Sequence, residues 1–151
     1  MGPNWGSQKR LRFGPNGEDV AAPAYLSLLA LSYDAIKAAD PSARVWGGAL
    51  APRGIDRPNT GRATHSPSAF ITDLGTAYRA SGRQARIMDG LAIHPYGENS
   101  STPPTFAHPN STSISIADYA KLVGLLGTAF DGTPQAGSTC LLYTSDAADE
   151  L

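Results

Sequence analysis

Two hydrophobic periods alternate along the chain, and that alternation constrains its fold more than any other feature. Ala22, Leu26, Leu29, Tyr33 and Ile36 recur at steps of three and four residues, which predicts one apolar stripe on a helix. Asp40-Pro41 stops the pattern, because the residue before a proline is pushed out of the helical region. The run Val45-Trp-Gly-Gly-Ala-Leu-Ala51 is short, apolar and without alternation, which suits a parallel strand buried on both faces.

The cycle then repeats. Ser66-Pro67 reads as an N-cap followed by proline in the first turn. Phe70, Ile71, Leu74, Ala77 and Tyr78 form the next apolar face, and Gly82 is the expected stop. A second strand is predicted over about Arg86 to His94, carrying Ile87, Met88, Leu91, Ala92 and Ile93. Residues 95–112 are rich in Pro, Ser, Thr and Asn and read as a long surface loop. Ser115 with Asp118 resembles a capping box. It opens a third helix with Ile116, Tyr119, Val123, Leu126 and Phe130 on one side, closed by Asp131-Gly132.

Helix and strand in this order, with strand starts about 40 residues apart, predict an α/β fold of parallel βαβ units with right-handed crossovers. Two strands neither close a barrel nor finish a doubly wound sheet, and their edges would leave backbone groups unpaired. An interior piece of a larger domain is the expectation.

The carboxyl-terminal stretch has its own signature. Cys140-Leu-Leu-Tyr-Thr-Ser-Asp-Ala-Ala-Asp-Glu150 resembles the conceptual translation of a transposase-type sequencing adapter, codon after codon. Residues 140–151 are therefore expected to be a non-native tail, with 1–139 as the authentic part. Setting the tail aside removes Asp146, Asp149 and Glu150 and leaves 12 basic against 10 acidic side chains. So balanced a charge gives no reason to expect nucleic acid or an anionic membrane as partner. No apolar run approaches the roughly 20 residues that span a bilayer. The lone Cys140 goes with the tail, so redox compartment is not readable, nor is localisation.

Candidate chemistry collects where predicted strands end, since parallel sheets gather functional groups there. One such place is Ala51-Pro-Arg53-Gly; the other is His94-Pro95-Tyr96-Gly-Glu98. His94 and Tyr96 together offer polar groups for hydroxyls and an aromatic platform for the C–H face of a sugar ring. The structural alternative is a His94 that caps its strand and a Tyr96 packed beneath the loop. Trp46 is expected in the core. Arg53 either holds a carboxylate or braces its loop. Other chemistries lack their residues: there is no G-x-S-x-G elbow, no G-x-G-x-x-G and no P-loop. His65, His94 and His108 sit in separate segments without H-x-x-x-H spacing, so loop histidines are expected and no metal or cofactor is called for. Asn99 and Asn110 open glycosylation sequons that matter only in a eukaryotic secretory setting.

The segments Ala43-Arg-Val-Trp-Gly-Gly-Ala-Leu-Ala-Pro-Arg-Gly54 and Met88-Asp-Gly-Leu-Ala-Ile-His-Pro-Tyr96 resemble the fifth and sixth strands of clan A glycoside hydrolases, cellulase-like members related to families five and thirty-nine. The resemblance covers roughly residues 13 to 139. It implies a partial (β/α)8 TIM barrel of two to three βα units, from the fourth-strand end to the sixth helix, and a parent that cleaves β-glycosidic bonds with retention. In that clan one glutamate, the acid/base, ends the fourth strand in an Asn-Glu-Pro motif, and a second, the nucleophile, ends the seventh. Here Met1-Gly2-Pro3-Asn4-Trp5 stands at the first place, with Gly2 where the acid belongs, and the adapter-like tail stands at the second. The resemblance implies substrate-binding roles for His94, Tyr96, Asn4 and Trp5 with a carbohydrate as partner, and an inactive chain. Glu18, Glu98 and Asp89 are read as solvated charges, with Asp89 at the face that serves stability. A non-catalytic carbohydrate-binding or structural barrel is the alternative.

Overall fold

A computed structural model of the chain describes residues 13–58, 60, 63–97 and 99–144. Asn4, Trp5 and Gly2 lie outside the described residues, as does Glu98. The elements run α1 (Ala21–Ala39), β1 (Trp46–Leu50), α2 (Pro67–Ser81), β2 (Gly90–Ile93), a 3-10 turn (Ile116–Asp118), α3 (Tyr119–Phe130) and β3 (Leu141–Thr144). The strands form one parallel sheet in chain order, β1-β2-β3. The helices lie side by side, α1 on α2 and α2 on α3, and cover one face of the sheet.

Local chemistry accounts for the helix ends. Ser66 caps α2 by accepting the Ala69 N–H at 3.2 Å, with Pro67 in the first turn. Gly82 ends it in the left-handed region at φ 65°, where a side chain would be strained. The Ser115–Asp118 capping box forms in both directions. The Asp19 carboxylate caps α1, taking the Ala21 and Ala22 N–H groups at 2.6 and 3.1 Å.

One core joins Ala22, Leu26 and Leu29 of α1, Ile71, Leu74 and Tyr78 of α2, Leu91 and Ile93 of β2, and Leu122, Leu126 and Phe130 of α3. The predicted stripes hold in part. Ile36 is exposed near the end of α1, and Ile116 and Tyr119 are exposed at the head of α3. The 3-10 turn advances three residues per turn rather than 3.6, so the buried stripe of α3 runs through Leu122, Leu126, Ala129 and Phe130 instead.

One expectation about the sheet is corrected. β1 is not buried on both faces: Trp46 is 40% exposed and Ala49 is open, because the helices cover only the opposite side. At the start of the adapter-like stretch, Leu141–Thr144 pair with Gly90–Ile93 in parallel register. A strand edge presents unpaired N–H and C=O groups to any β-prone segment, and Leu-Leu-Tyr-Thr is one. Leu141 and Tyr143 stay half exposed, so the pairing rests more on backbone hydrogen bonds than on burial. Register slips between Gly48 and Leu50, where Gly48 and Ala49 both have positive φ, 91° and 56°. A Cβ on Gly48 would stand 2.7 Å from the Ala92 carbonyl oxygen, so glycine is required there.

Candidate functional site

The C-terminal ends of β1 and β2 lie side by side, and the ladder continues one step past them through the His94 N–H to the Leu50 carbonyl at 2.9 Å. The Tyr96 N–H then turns back to the His94 carbonyl at 2.9 Å. This tight turn sets the two side chains face to face, with ring centroids 5.7 Å apart and planes 25° from parallel. His94 Nδ1 and the Tyr96 hydroxyl lie 3.2 Å apart. Tyr96 is 41% exposed and is not packed beneath its loop. The pair therefore offers an aromatic surface, but each polar group already has the other as a partner. Arg53, at the neighbouring strand end, is exposed.

Trp46 departs from its expected core position. Its ring lies on the open face of the sheet across Gly90, where a Cβ would come within 2.2 Å of it. It packs against Tyr143 of β3 with centroids 5.3 Å apart at 41°. Three strands thus contribute Trp46, Gly90, Ala92 and Tyr143 to a partly exposed aromatic patch.

The described carboxylates that the sequence suggested as solvated behave differently from one another. Glu18 is exposed and accepts the Asn16 N–H at 2.9 Å. Asp89 is mostly buried at the N-terminal end of β2, where it accepts from Lys37 at 2.8 Å, the Val45 N–H at 2.9 Å and the Tyr33 hydroxyl at 3.2 Å. Burial opposes its charge, but those three donors outweigh burial and hold the carboxyl below its ordinary range. Its place is structural, at the end of the sheet away from His94.

Two of the histidines expected in loops do lie in loops, with their side chains largely buried. His108 bonds Asp118 through Nδ1 at 2.9 Å and through its backbone N–H at 2.7 Å. The same carboxylate takes the Ser115 N–H and hydroxyl, both at 2.9 Å. Burial raises Asp118, yet the bonds from Ser115 and His108 overcome it and push the carboxyl far down. Lys121 adds a bond to the His108 carbonyl at 2.7 Å, so the loop from 95 to 114 is fastened to α3. The capping box was legible in sequence; the histidine ten residues upstream carried no local signal.

The second is His65. Its ring lies 4.2 Å from that of Phe13, and Nε2 is 3.3 Å from Asp19 Oδ1. Asp56, from the same loop as His65, accepts the Ser66 N–H at 2.6 Å. Asp19 was findable, since an acidic residue just before an apolar-periodic run is an N-cap signal.

Beyond the end of β2, an apolar hollow of about 200 Å³ is lined by Ile93, Pro95, Ile114, Tyr119, Leu122 and Leu142 among others. Among the described residues no group of His, Cys, Asp and Glu is placed to hold a metal ion, and no helix is long and apolar enough to cross a membrane. Comparison with protein-family models, with curated proteins and with solved structures returned no match.

Proposed function

We propose that the chain is a segment of a retaining β-glycosidase on a (β/α)8 barrel, carrying part of the sugar-binding floor without the carboxylate pair. The observation that carries this reading is the His94–Tyr96 pair at the C-terminal end of β2, a half-open aromatic surface edged by polar groups. Sugars are held by such surfaces through their C–H faces, with hydrogen bonds fixing the hydroxyls. Strand order that follows chain order, with helices on one face, supports a barrel. A doubly wound sheet reverses its order and carries helices on both faces. The resemblance through Ala43–Gly54 and Met88–Tyr96 supports the same reading.

Retaining hydrolysis uses two carboxyl groups about 5 Å apart, one to protonate the leaving oxygen and one to attack the anomeric carbon. Asp89 and Asp118 are committed to structural hydrogen bonds and supply neither. The chain as it stands binds sugar weakly and does not cleave it. Those commitments also favour a second reading, a sugar-binding barrel that never held the pair.

Titration of the ¹⁵N-labelled chain with a soluble β-1,4-linked glucan oligosaccharide tests the floor. Saturable shifts centred on His94 and Tyr96, lost in Tyr96→Ala, are expected. Absence of any saturable shift there removes the reading. Aryl β-glycosides should show no turnover above background.

A further inference from the structure

The hairpin that leads into α1 turns on Asn16-Gly17, the one asparagine–glycine step in the chain. The Gly14 N–H donates to the Glu18 carbonyl at 2.8 Å and the Gly17 N–H to the Gly14 carbonyl at 3.0 Å. The Phe13–Asp19 bridge closes the hairpin, and Asp19 then caps α1. Gly17 stands at φ 82°, a left-handed conformation that glycine enters without strain. Asn16 is exposed at the tip. Its backbone N–H donates to Glu18 Oε2 at 2.9 Å, but its side-chain amide neither donates nor accepts among the described residues.

An asparagine in this setting can react with its own backbone. The nitrogen of the next residue attacks the side-chain carbonyl carbon and forms a new C–N bond. The bond from that carbon to the side-chain nitrogen breaks, and ammonia leaves with the proton that the backbone nitrogen gives up. Water then opens the resulting succinimide ring at one carbonyl or the other, giving aspartate or isoaspartate. A side chain on the following residue crowds the attack, and glycine has none.

We propose that Asn16 is a self-modifying site of the native chain, converted by water to aspartate and isoaspartate as the 14–17 turn opens, and that conversion loosens the cap of α1. Its rivals are held or crowded. Asn99 Oδ1 accepts the Ser101 N–H at 2.9 Å, and both Asn99 and Asn110 are followed by serine. Asp89-Gly90 and Asp131-Gly132 could close the same ring with loss of water, but their carboxylates are engaged. Asp89 accepts from Lys37, Tyr33 and the Val45 N–H, and Asp131 Oδ1 accepts the Ser138 N–H at 2.8 Å.

The bond from the Gly17 N–H to the Gly14 carbonyl sets the pace. Attack needs that nitrogen to lose its proton and face the Asn16 side chain, so the turn opens first. The product reaches α1 through the hairpin. Isoaspartate adds a methylene to the backbone between Phe13 and Asp19, and so shifts the carboxylate that holds the Ala21 and Ala22 N–H groups.

Incubation of the whole chain in mildly alkaline buffer, native and in urea, tests this by peptide mass spectrometry. Trypsin releases residues 13–37, in which Asn16 is the one asparagine, and residues 87–121, which carry Asn99 and Asn110 as an internal reference. Asn16 should convert ahead of both in the native chain, giving separable aspartyl and isoaspartyl peptides. Conversion should be about two- to tenfold faster in urea, the factor that one hydrogen bond of the turn is worth. Asn16→Gln, whose longer side chain must close a larger ring, should leave peptide 13–37 unconverted. An Asn16 amide that outlasts Asn99 or Asn110 in the native chain, or is wholly retained there after its loss in urea, overturns the site. Equal rates in the two conditions overturn the control by the turn. Amide exchange at Ala21 and Ala22 should quicken in the converted chain, and unchanged exchange overturns the effect on the cap.

Discussion

Trp46 lies flat enough over Gly90 that the smallest possible side chain there would strike its ring: a Cβ at position 90 would sit 2.2 Å from the indole. The same glycine is paired through its backbone with Trp46 on one side and Leu141 on the other. The centre of the sheet is therefore kept thin so that one large aromatic can cross it.

Gly90→Ala should accordingly cost about 1–3 kcal/mol through overpacking. Urea unfolding followed by circular dichroism measures it. A loss below about 0.5 kcal/mol, within the ordinary range for surface changes, would show that the indole is free to move aside.

Asp89 joins Lys37, Tyr33 and the Val45 N–H, tying α1 to the entrances of β1 and β2. Asp89→Ala should cost about 1–3 kcal/mol, since it leaves the Val45 N–H without an acceptor and the Lys37 ammonium with the Ala43 carbonyl in place of a carboxylate. Chemical denaturation checks it; Lys37→Ala in the same background should then add little.

Asp118 is depressed in the folded chain, as is Asp89. Both therefore contribute stability that is present above the unfolded value of about 3.9 and lost as pH falls through their folded values. Asp118→Asn should flatten the acid limb of the stability profile and free the 95–114 loop. Denaturation midpoints between about pH 2 and pH 5, with proteolysis of that loop, report both effects. An acid limb unchanged from the parent chain would contradict the assignment.

Tyr96→Ala should leave stability within about 1 kcal/mol, because the ring is 41% exposed, while abolishing any sugar-induced shift at His94. Thermal unfolding and the oligosaccharide titration separate the two effects.

Most of the layer order was legible, because helix and strand periods are local. Ser66-Pro67, Gly82 and the Ser115–Asp118 box announce helix ends within four residues of sequence. What was not legible depends on partners far along the chain. Trp46 reads as core because its run is apolar, but only the one-sided helix layer decides that its face is open. His65 and His108 lie in loops as read, but their burial against Asp19 and Asp118 comes from tertiary packing and has no local signal. Leu141–Thr144 was set aside for its resemblance to adapter sequence, yet a β-prone tetrapeptide beside a free strand edge pairs regardless of origin. At the candidate site the nearness of His94 and Tyr96 was readable from position, while their mutual stacking needed the turn made by the Tyr96 N–H.

The central proposal is that this chain carries the sugar-binding part of a retaining β-glycosidase without its catalytic carboxylate pair. A clean read of the source gene across both ends tests it most directly. A glutamate at the place of Gly2, and a second at the end of the strand now formed by Leu141–Thr144, is the predicted result. An uninterrupted reading frame with neither glutamate would contradict the claim.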